Sequence, residues 1–243
     1  MIIAASSDVG KMRKANEDSY FVSDIIGENV VACVADGMGG HKGGKTASSM
    51  LCEYIETASY ELDLFSKDSD KIVELLEGVI EGANEEIFLR AKSHEELSGM
   101  GSTLVMCVAS PERVVCANVG DSRMYQINDD GINQITKDHS MVQEMVDKGQ
   151  ITPEEAMAHP NRNIITRAVG SDVELKIDFF KLQPKKGDKL ILCSDGLTNM
   201  VSEDDIYYIV KNTHSPDEAC EKLVNTANSA GGKDNITAVI IRL

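Results

Sequence analysis

Positive charge is scarce in this chain of 243 residues: 24 lysines and arginines face 40 aspartates and glutamates, a formal net charge of −16. That balance argues against nucleic acid or an anionic membrane surface as the main partner. It also disfavours phosphorylated substrates at long range, so any phosphate chemistry needs local positive charge from metal ions or a placed arginine. No apolar run approaches the length of a membrane span, and Met1 to Asp8 has neither the charged start nor the long apolar core of a signal peptide, so a soluble protein is expected. The six cysteines, Cys33, Cys52, Cys107, Cys116, Cys193 and Cys220, form no C-x-x-C pair and lie in apolar or helical stretches. They read as reduced, buried thiols of a cytoplasmic protein. No Pro-, Ser- or Gly-rich linker divides the chain, which points to a single domain over residues 1–243. Nothing calls for an obligate assembly, and a monomer is expected.

What the chain does have is a set of short apolar runs bounded by turn residues. Tyr20–Ser23, Val30–Ala35, Thr103–Ala109, Arg113–Val119, Ser122–Asn128, Lys176–Leu182, Lys189–Cys193 and Ile236–Leu243 read as strands. The three central runs are joined by links too short for crossover helices, which implies antiparallel strands. Helical spacing marks Thr46 to about Leu62, Asp70–Ala91, Met141–Lys148, Asp204–Asn212 and Pro216–Ser229. Antiparallel strands interleaved with pairs of helices predict an α+β layered domain, sheets inside and helices outside.

Four aspartates beside a glycine or asparagine stand next to such runs: Asp36-Gly37, Gly120-Asp121, Asp195-Gly196 and Asp234-Asn235. Carboxylates at strand ends sit on rigid supports and can converge. Converging carboxylates repel, so the arrangement makes physical sense chiefly with hard cations among them. Any one Asp-Gly pair could be a simple turn. Upstream, Lys11-Met12-Arg13-Lys14 precedes Glu17 and Asp18, a basic patch beside acids that suits a phosphate held near metals.

Two other motifs compete. Gly39 to Thr46 satisfies the phosphate-loop pattern G-x-x-x-x-G-K-[ST] after a strand, the signature of a nucleotide hydrolase, but that fold demands parallel strands. Cys107 to Arg113 has the spacing of cysteine-dependent phosphatases, yet carries Pro111 and Glu112 and no glycine to converge backbone amides, so Cys107 reads as a core residue.

Taken in order, Arg13, Glu17-Asp18, Asp36-Gly37-Met38-Gly39-Gly40, Gly99-Met100-Gly101-Ser102-Thr103, Gly120-Asp121, Ser194-Asp195-Gly196 and Asp234-Asn235 resemble the metal-dependent protein serine/threonine phosphatases of the PPM (PP2C-type) family, especially compact bacterial members. The similarity spans nearly the whole chain. It implies a central antiparallel β-sandwich flanked by pairs of helices, a four-layer αββα arrangement, with a flap subdomain at about 138–172 near a site for two Mn²⁺ or Mg²⁺ ions. Asp36 is implied as the carboxylate bridging both metals, with the Gly37 carbonyl as a further ligand. Asp195 and Asp234 are implied as ligands of the first metal, Glu17 and Asp18 as acids holding metal-bound water, and Asp121 with Asp195 as the place of a third, weaker ion. Arg13 matches the arginine that grips the substrate phosphate. The implied reaction is direct attack on phosphoserine or phosphothreonine of proteins by a hydroxide bridging the metals, without a covalent phosphoenzyme, opposing a cognate serine/threonine kinase. Met38 stands where many eukaryotic relatives have a histidine, so leaving-group protonation falls to His41 or to metal-bound water. Lys45, where relatives often have an acid, completes the phosphate-loop pattern. A silent relative that binds phosphoproteins without turnover is the further alternative.

Overall fold

The computed structural model describes residues 1–65 and 68–243, with all of their side chains except that of His41. In chain order the elements are β1 (Ile2–Asp8), β2 (Ser19–Val22), β3 (Val30–Ala35), β4 (Gly37–Met38), α1 (Gly40–Glu61), α2 (Ser69–Ser93), β5 (Gly101–Ser102), β6 (Leu104–Ala109), β7 (Val114–Val119), β8 (Arg123–Asn128) and β9 (Gly131–Gln134). The second half adds α3 (Met141–Asp147), α4 (Pro153–Ala158), β10 (Asp178–Leu182), β11 (Lys189–Cys193), α5 (Asp195–Thr198), α6 (Glu203–Asn212), α7 (Pro216–Ser229) and β12 (Ile236–Arg242). Two five-stranded sheets result, ordered β1-β12-β11-β8-β9 and β10-β7-β6-β3-β2, with β4 and β5 as a separate two-stranded ladder. Every pairing is antiparallel.

Side-chain alternation builds the layers. In β3, Val31, Cys33 and Ala35 join the core shared with α1 and α2, whereas Val30, Ala32 and Val34 enter the core between the sheets. The same period of two splits β6 into Leu104, Met106 and Val108 on the helix side and Val105, Cys107 and Ala109 on the sheet side. In β12, Ile236, Ala238 and Ile240 pack toward α6 and α7, while Val239 and Ile241 point between the sheets. These strands are buried on both faces, which explains why they read as continuous apolar runs rather than as alternating ones. The expected αββα order is what the structure shows.

Two expectations need correction. The short link Gly120–Asp121 does not join two paired antiparallel strands: β7 pairs with β6 and β10, but β8 pairs with β11 and β9, so this link carries the chain from one sheet to the other. Gly120 has φ +103°, and a Cβ there would lie 2.7 Å from the Thr103 methyl, so only glycine makes the crossing. The second concerns α1, which begins at Gly40 rather than Thr46, so most of the apparent phosphate loop is helix. The lysine of the pattern is already engaged inside the fold, since the Lys45 ammonium donates to the Asp18 carbonyl at 2.8 Å and to Ser19 Oγ at 3.0 Å. The phosphate-loop pattern is a coincidence of glycines at a helix start.

Register places the candidate aspartates together. Ser19 faces Ala35, Val34 faces Val105 and Leu104 faces Val119, so the start of β2 and the ends of β3 and β7 share one edge of their sheet. In the other sheet Cys193 faces both Arg123 and Ala238, which brings the end of β11 beside the start of β12. The short Gly120–Asp121 crossing then ties the two edges to each other.

Leu192 is fully buried between the sheets. Leu192→Ala should cost roughly 2–5 kcal/mol in urea unfolding, whereas Tyr208→Ala, at an exposed position of α6, should change stability by less than about 0.5 kcal/mol.

Candidate metal centre

Asp36 follows β3 and is held by its main chain. Its N–H donates to Thr103 Oγ1 at 3.0 Å, and its carbonyl accepts from the Thr103 N–H at 2.8 Å and from Ser102 Oγ at 3.0 Å. Next to it, Gly37 packs so tightly against α1 that a Cβ would sit 2.1 Å from the Gly44 carbonyl oxygen. A Cβ on Gly44 would in turn lie 2.6 Å from Glu17 Oε2. These glycines let β4, the first turns of α1 and the Glu17 strand entry meet in one small volume.

Asp18 is 2% exposed. Its Oδ2 accepts from Thr237 Oγ1 at 2.6 Å and from Ser194 Oγ at 2.8 Å, two groups on the opposite sheet's edge, while its Oδ1 is buried with no hydrogen-bond partner. Asp195 opens α5; its Oδ2 accepts from Asn199 Nδ2 at 2.9 Å and its Oδ1 is likewise buried and unpartnered. Asp234 Oδ2 accepts from Arg13 Nη2 at 2.7 Å, and its Oδ1 from the Asn235 amide at 2.9 Å. The guanidinium of Arg13 is thus at the rim of the acids, half exposed and engaged with one of them.

The electrostatics report how close these groups are. Burial, followed by repulsion from Asp18, Asp195, Asp121 and Asp234, pushes the Asp36 carboxyl well above the ordinary aspartate range. Burial raises Asp18 to about 6 against the pull of its Thr237 and Ser194 hydrogen bonds, with Asp195 and Asp234 adding repulsion. Asp121 is raised to about 8 by burial, then by Asp195 and Asp138. Asp195 is raised by burial and by Asp234, although its contact with Asp36 and the Asn199 hydrogen bond oppose this. Asp138 is clasped by Arg123 at 2.7 Å. One arginine at the rim does not balance the other acids.

Do these residues fit divalent ions? Among the described residues no three His, Cys, Asp or Glu side chains form a closed cage for one ion. The fit rests instead on two buried carboxylate oxygens without partners, on the all-oxygen donor set, and on uncompensated charge. Hard cations take such oxygens and keep waters in their remaining positions. The arrangement therefore fits ions bound partly through water. Asp121 and Asp195 face a cavity of about 640 Å³. Its other wall is the flap, built as α3 and α4 with Arg162 and Asn163, and it continues to Asn199 and Glu203. After β9 the chain passes beside the end of β7 at His139, whose N–H donates to the Gly120 carbonyl at 2.9 Å while its Nδ1 accepts from the Gly120 N–H at 3.0 Å.

The sequence-predicted residues Arg13, Glu17, Asp18, Asp36, Gly37, Asp121, Asp195 and Asp234 all lie at this end of the sandwich. His41 is in the first turn of α1, but its side chain is outside the described residues. Cys107 is a buried β6 residue with its thiol pushed up to about 12 by burial, unfit as a nucleophile. Sequence reasoning missed Asn235 as a hub. Its side chain accepts from the Glu17 N–H at 2.8 Å and donates to the Val9 and Ala15 carbonyls, both at 2.9 Å, so it shapes the loop that presents Arg13, Glu17 and Asp18. Thr103, Ser194 and Thr237 were likewise missed as supports. Thr103, Ser194 and Asn235 stand in motifs quoted above, but no local pattern marks the supporting roles, because each acts on a partner distant in sequence.

The family described as protein phosphatase 2C matches residues 11–237. Over 235 residues the chain is 40% identical to the serine/threonine phosphatase stp of Listeria innocua, covering 97% of this chain and 93% of that one. It is 36% identical to the protein phosphatase PhpP of Streptococcus pneumoniae over 245 residues, covering 100% of this chain and 98% of that one. The crystal structure of serine/threonine phosphatase Stp1 from Staphylococcus aureus superposes with a TM-score of 0.93 at 34% identity, covering 100% and 95% of the two chains. The catalytic domain of the serine threonine protein phosphatase PstP, solved with two manganese ions, superposes with a TM-score of 0.85 at 32% identity, covering 98% and 96%.

The raised carboxyls set a pH dependence. Unfolded aspartates ionise near pH 4, whereas Asp18 and Asp121 keep protons in the folded protein up to about 6 and about 8. The stability they contribute is therefore complete below about pH 4 and is lost as pH rises through those folded values. In excess chelator the melting temperature should fall between about pH 5 and about pH 8.5, and Asp121→Asn should flatten the upper part of that fall and stabilise the protein by at least ~1 kcal/mol at its alkaline end. Calorimetry across this pH range checks both.

Proposed function

The chain belongs to the protein phosphatase 2C family and is a serine/threonine protein phosphatase, and from that premise we propose that the acidic end of the sandwich is its active site and holds two Mn²⁺ or Mg²⁺ ions. The observation that carries this reading is the crowd of buried, mutually repelling carboxylates with orphaned oxygens on Asp18 and Asp195. Asp36, at its centre and repelled by four other aspartates, is assigned to both ions, with the adjoining Gly37 carbonyl on one of them. Asp195 and Asp234 hold the first ion, and Glu17 and Asp18 hold its water. Asp121, facing the flap cavity beside Asp195, is assigned to a third, weaker ion. Bound there, divalent cations supply Lewis acidity toward the phosphoryl oxygens and a water acidic enough to ionise near neutral pH.

The protein's own groups perform the rest. Arg13 sits at the rim on an exposed guanidinium, where an incoming phosphate can compete with Asp234 for its planar fork of donors. Asp36 is fixed at its backbone by Thr103 and Ser102, so its side chain is presented from a rigid point. The cysteines are free and buried, which leaves them no part in a covalent intermediate. Leaving-group protonation is assigned to His41 or to ordered water. The flap, at about 138–172 within a single domain over 1–243, overhangs the cavity and is a natural place for selecting protein substrates. We place the enzyme in the cytoplasm, acting as a monomer opposite a serine/threonine kinase; six buried free thiols support a reducing compartment.

Hydrolysis of a phosphothreonine peptide should require Mn²⁺ or Mg²⁺ and stop in chelator. Asp36→Asn and Asp234→Asn should each lower kcat by on the order of 10³-fold, the loss of about 4 kcal/mol of transition-state stabilisation. Arg13→Ala should act mainly on KM, raising it roughly tenfold, with Arg13→Lys restoring only part because an ammonium lacks the bidentate fork. Full activity in chelator, or in the Asp36 and Asp234 variants, contradicts the assignment.

A further inference from the structure

Along the second half of α1, α1 and α2 enclose a groove of about 900 Å³ that none of the chemistry above uses. Tyr54 and Leu75 contribute to an apolar floor, while Glu53 and Glu61 on α1 and Glu74 and Glu86 on α2 form the walls against Lys71. All four glutamates are exposed. Glu53 and Glu61 are eight residues apart and Glu74 and Glu86 twelve, so acid runs along about 12 Å of one wall and about 18 Å of the other at 1.5 Å per helical residue.

The glycines of α2 supply a second observation. Gly82 has an internal reason to be glycine, because a Cβ there would lie 2.3 Å from the Tyr54 hydroxyl. Gly78, which lines the groove, has none: nothing lies within 4 Å of where its Cβ would be. A glycine inside a helix weakens it relative to alanine, and no contact within the fold requires this one. Gly78 gives an incoming backbone room to approach α2 closely.

We propose that this groove docks a cationic amphipathic helix of a partner protein, about three turns long, with its apolar stripe on Tyr54 and Leu75 and its lysines or arginines between the two rows of glutamates. A groove between two helices with an apolar floor is the geometry that accepts a helix face, and the charge of the walls selects a basic one. The groove begins at Met50, ten residues along α1 from Gly40, so about 15 Å of helix separates its near end from the Asp36–Gly37 turn. A helix docked there tethers its protein to the phosphatase while the catalytic end stays open.

The test uses the 243-residue protein and a synthetic Lys/Leu amphipathic peptide of about 14 residues, with a scrambled peptide of equal composition. Affinities are measured by fluorescence anisotropy at about 0.15 M salt, where long-range attraction is screened. Wild type should bind the amphipathic peptide about tenfold or more tightly than the scrambled one. Glu53→Lys/Glu74→Lys and, separately, Gly78→Trp should each weaken binding about tenfold, whereas the equal charge reversal Glu218→Lys/Glu221→Lys on α7 should change it by less than about twofold. Gly78 is exposed, so its variant should keep the wild-type circular dichroism and phosphopeptide turnover. Amide shifts on titration should centre on Tyr54, Leu75 and Gly78. Equal weakening by the α7 reversal, no preference over the scrambled peptide, or shifts scattered over the acidic surface would mean general attraction to a polyanion and would overturn the proposal.

Discussion

Repulsion among buried carboxylates is the constraint around which this molecule is arranged. Asp18, Asp36, Asp121, Asp195 and Asp234 occupy one end of a β-sandwich, and among the described residues Arg13 is the one cationic side chain paired with their carboxylates. Burial raises the cost of each charge, and neighbouring charges raise it again. A fold retains such a cluster against its own stability when the cluster has work to do, and the rest of the structure can be understood as the means of holding it.

The means are largely backbone and neutral side chains. Thr103 pins the Asp36 main chain; Ser194 and Thr237, from the other sheet, grip one oxygen of Asp18 and leave the second available. Asn235 gathers the loop that carries Arg13 and Glu17. Close approaches at Gly37 and Gly44 bring α1 against β4 without side chains in the way, and Gly196 does the same where its Cβ would fall 1.9 Å from the Asn235 carbonyl oxygen. None of these supports carries formal charge, so the acids are positioned without being neutralised. That leaves their charge to be balanced by protons or cations, and in the proposed reaction Arg13 exchanges a carboxylate for a phosphate.

Much of this was legible from the sequence, for identifiable reasons. The doubly buried strands announce themselves as apolar runs, and α1, α2, α6 and α7 as amphipathic periods, because each must satisfy cores on one or both faces. The aspartates were visible because glycine or asparagine beside an acid at the edge of an apolar run is a local pattern. What escaped was non-local. The Gly120–Asp121 link has the composition of a hairpin turn, and only the pairing of β8 with β11 shows that it changes sheets. The start of α1 was hidden because Gly39, Gly40, Gly43 and Gly44 look like loop; the close contact of Gly44 with Glu17 and Gly37 is what makes glycine necessary inside that helix. Asn235 looked like half of a turn, since its three partners lie more than two hundred residues away in sequence.

The central claim, that these carboxylates hold protons or cations in place of one another, is tested most directly by calorimetric titration of Mn²⁺ into metal-depleted protein near neutral pH, in two buffers of different ionisation enthalpy. Metal binding must displace the protons retained by the raised carboxyls, so the account predicts release of about one proton or more per protein, diminished in Asp121→Asn and falling as pH rises through about 8. Binding of Mn²⁺ with no buffer dependence, or no binding at all, would contradict it.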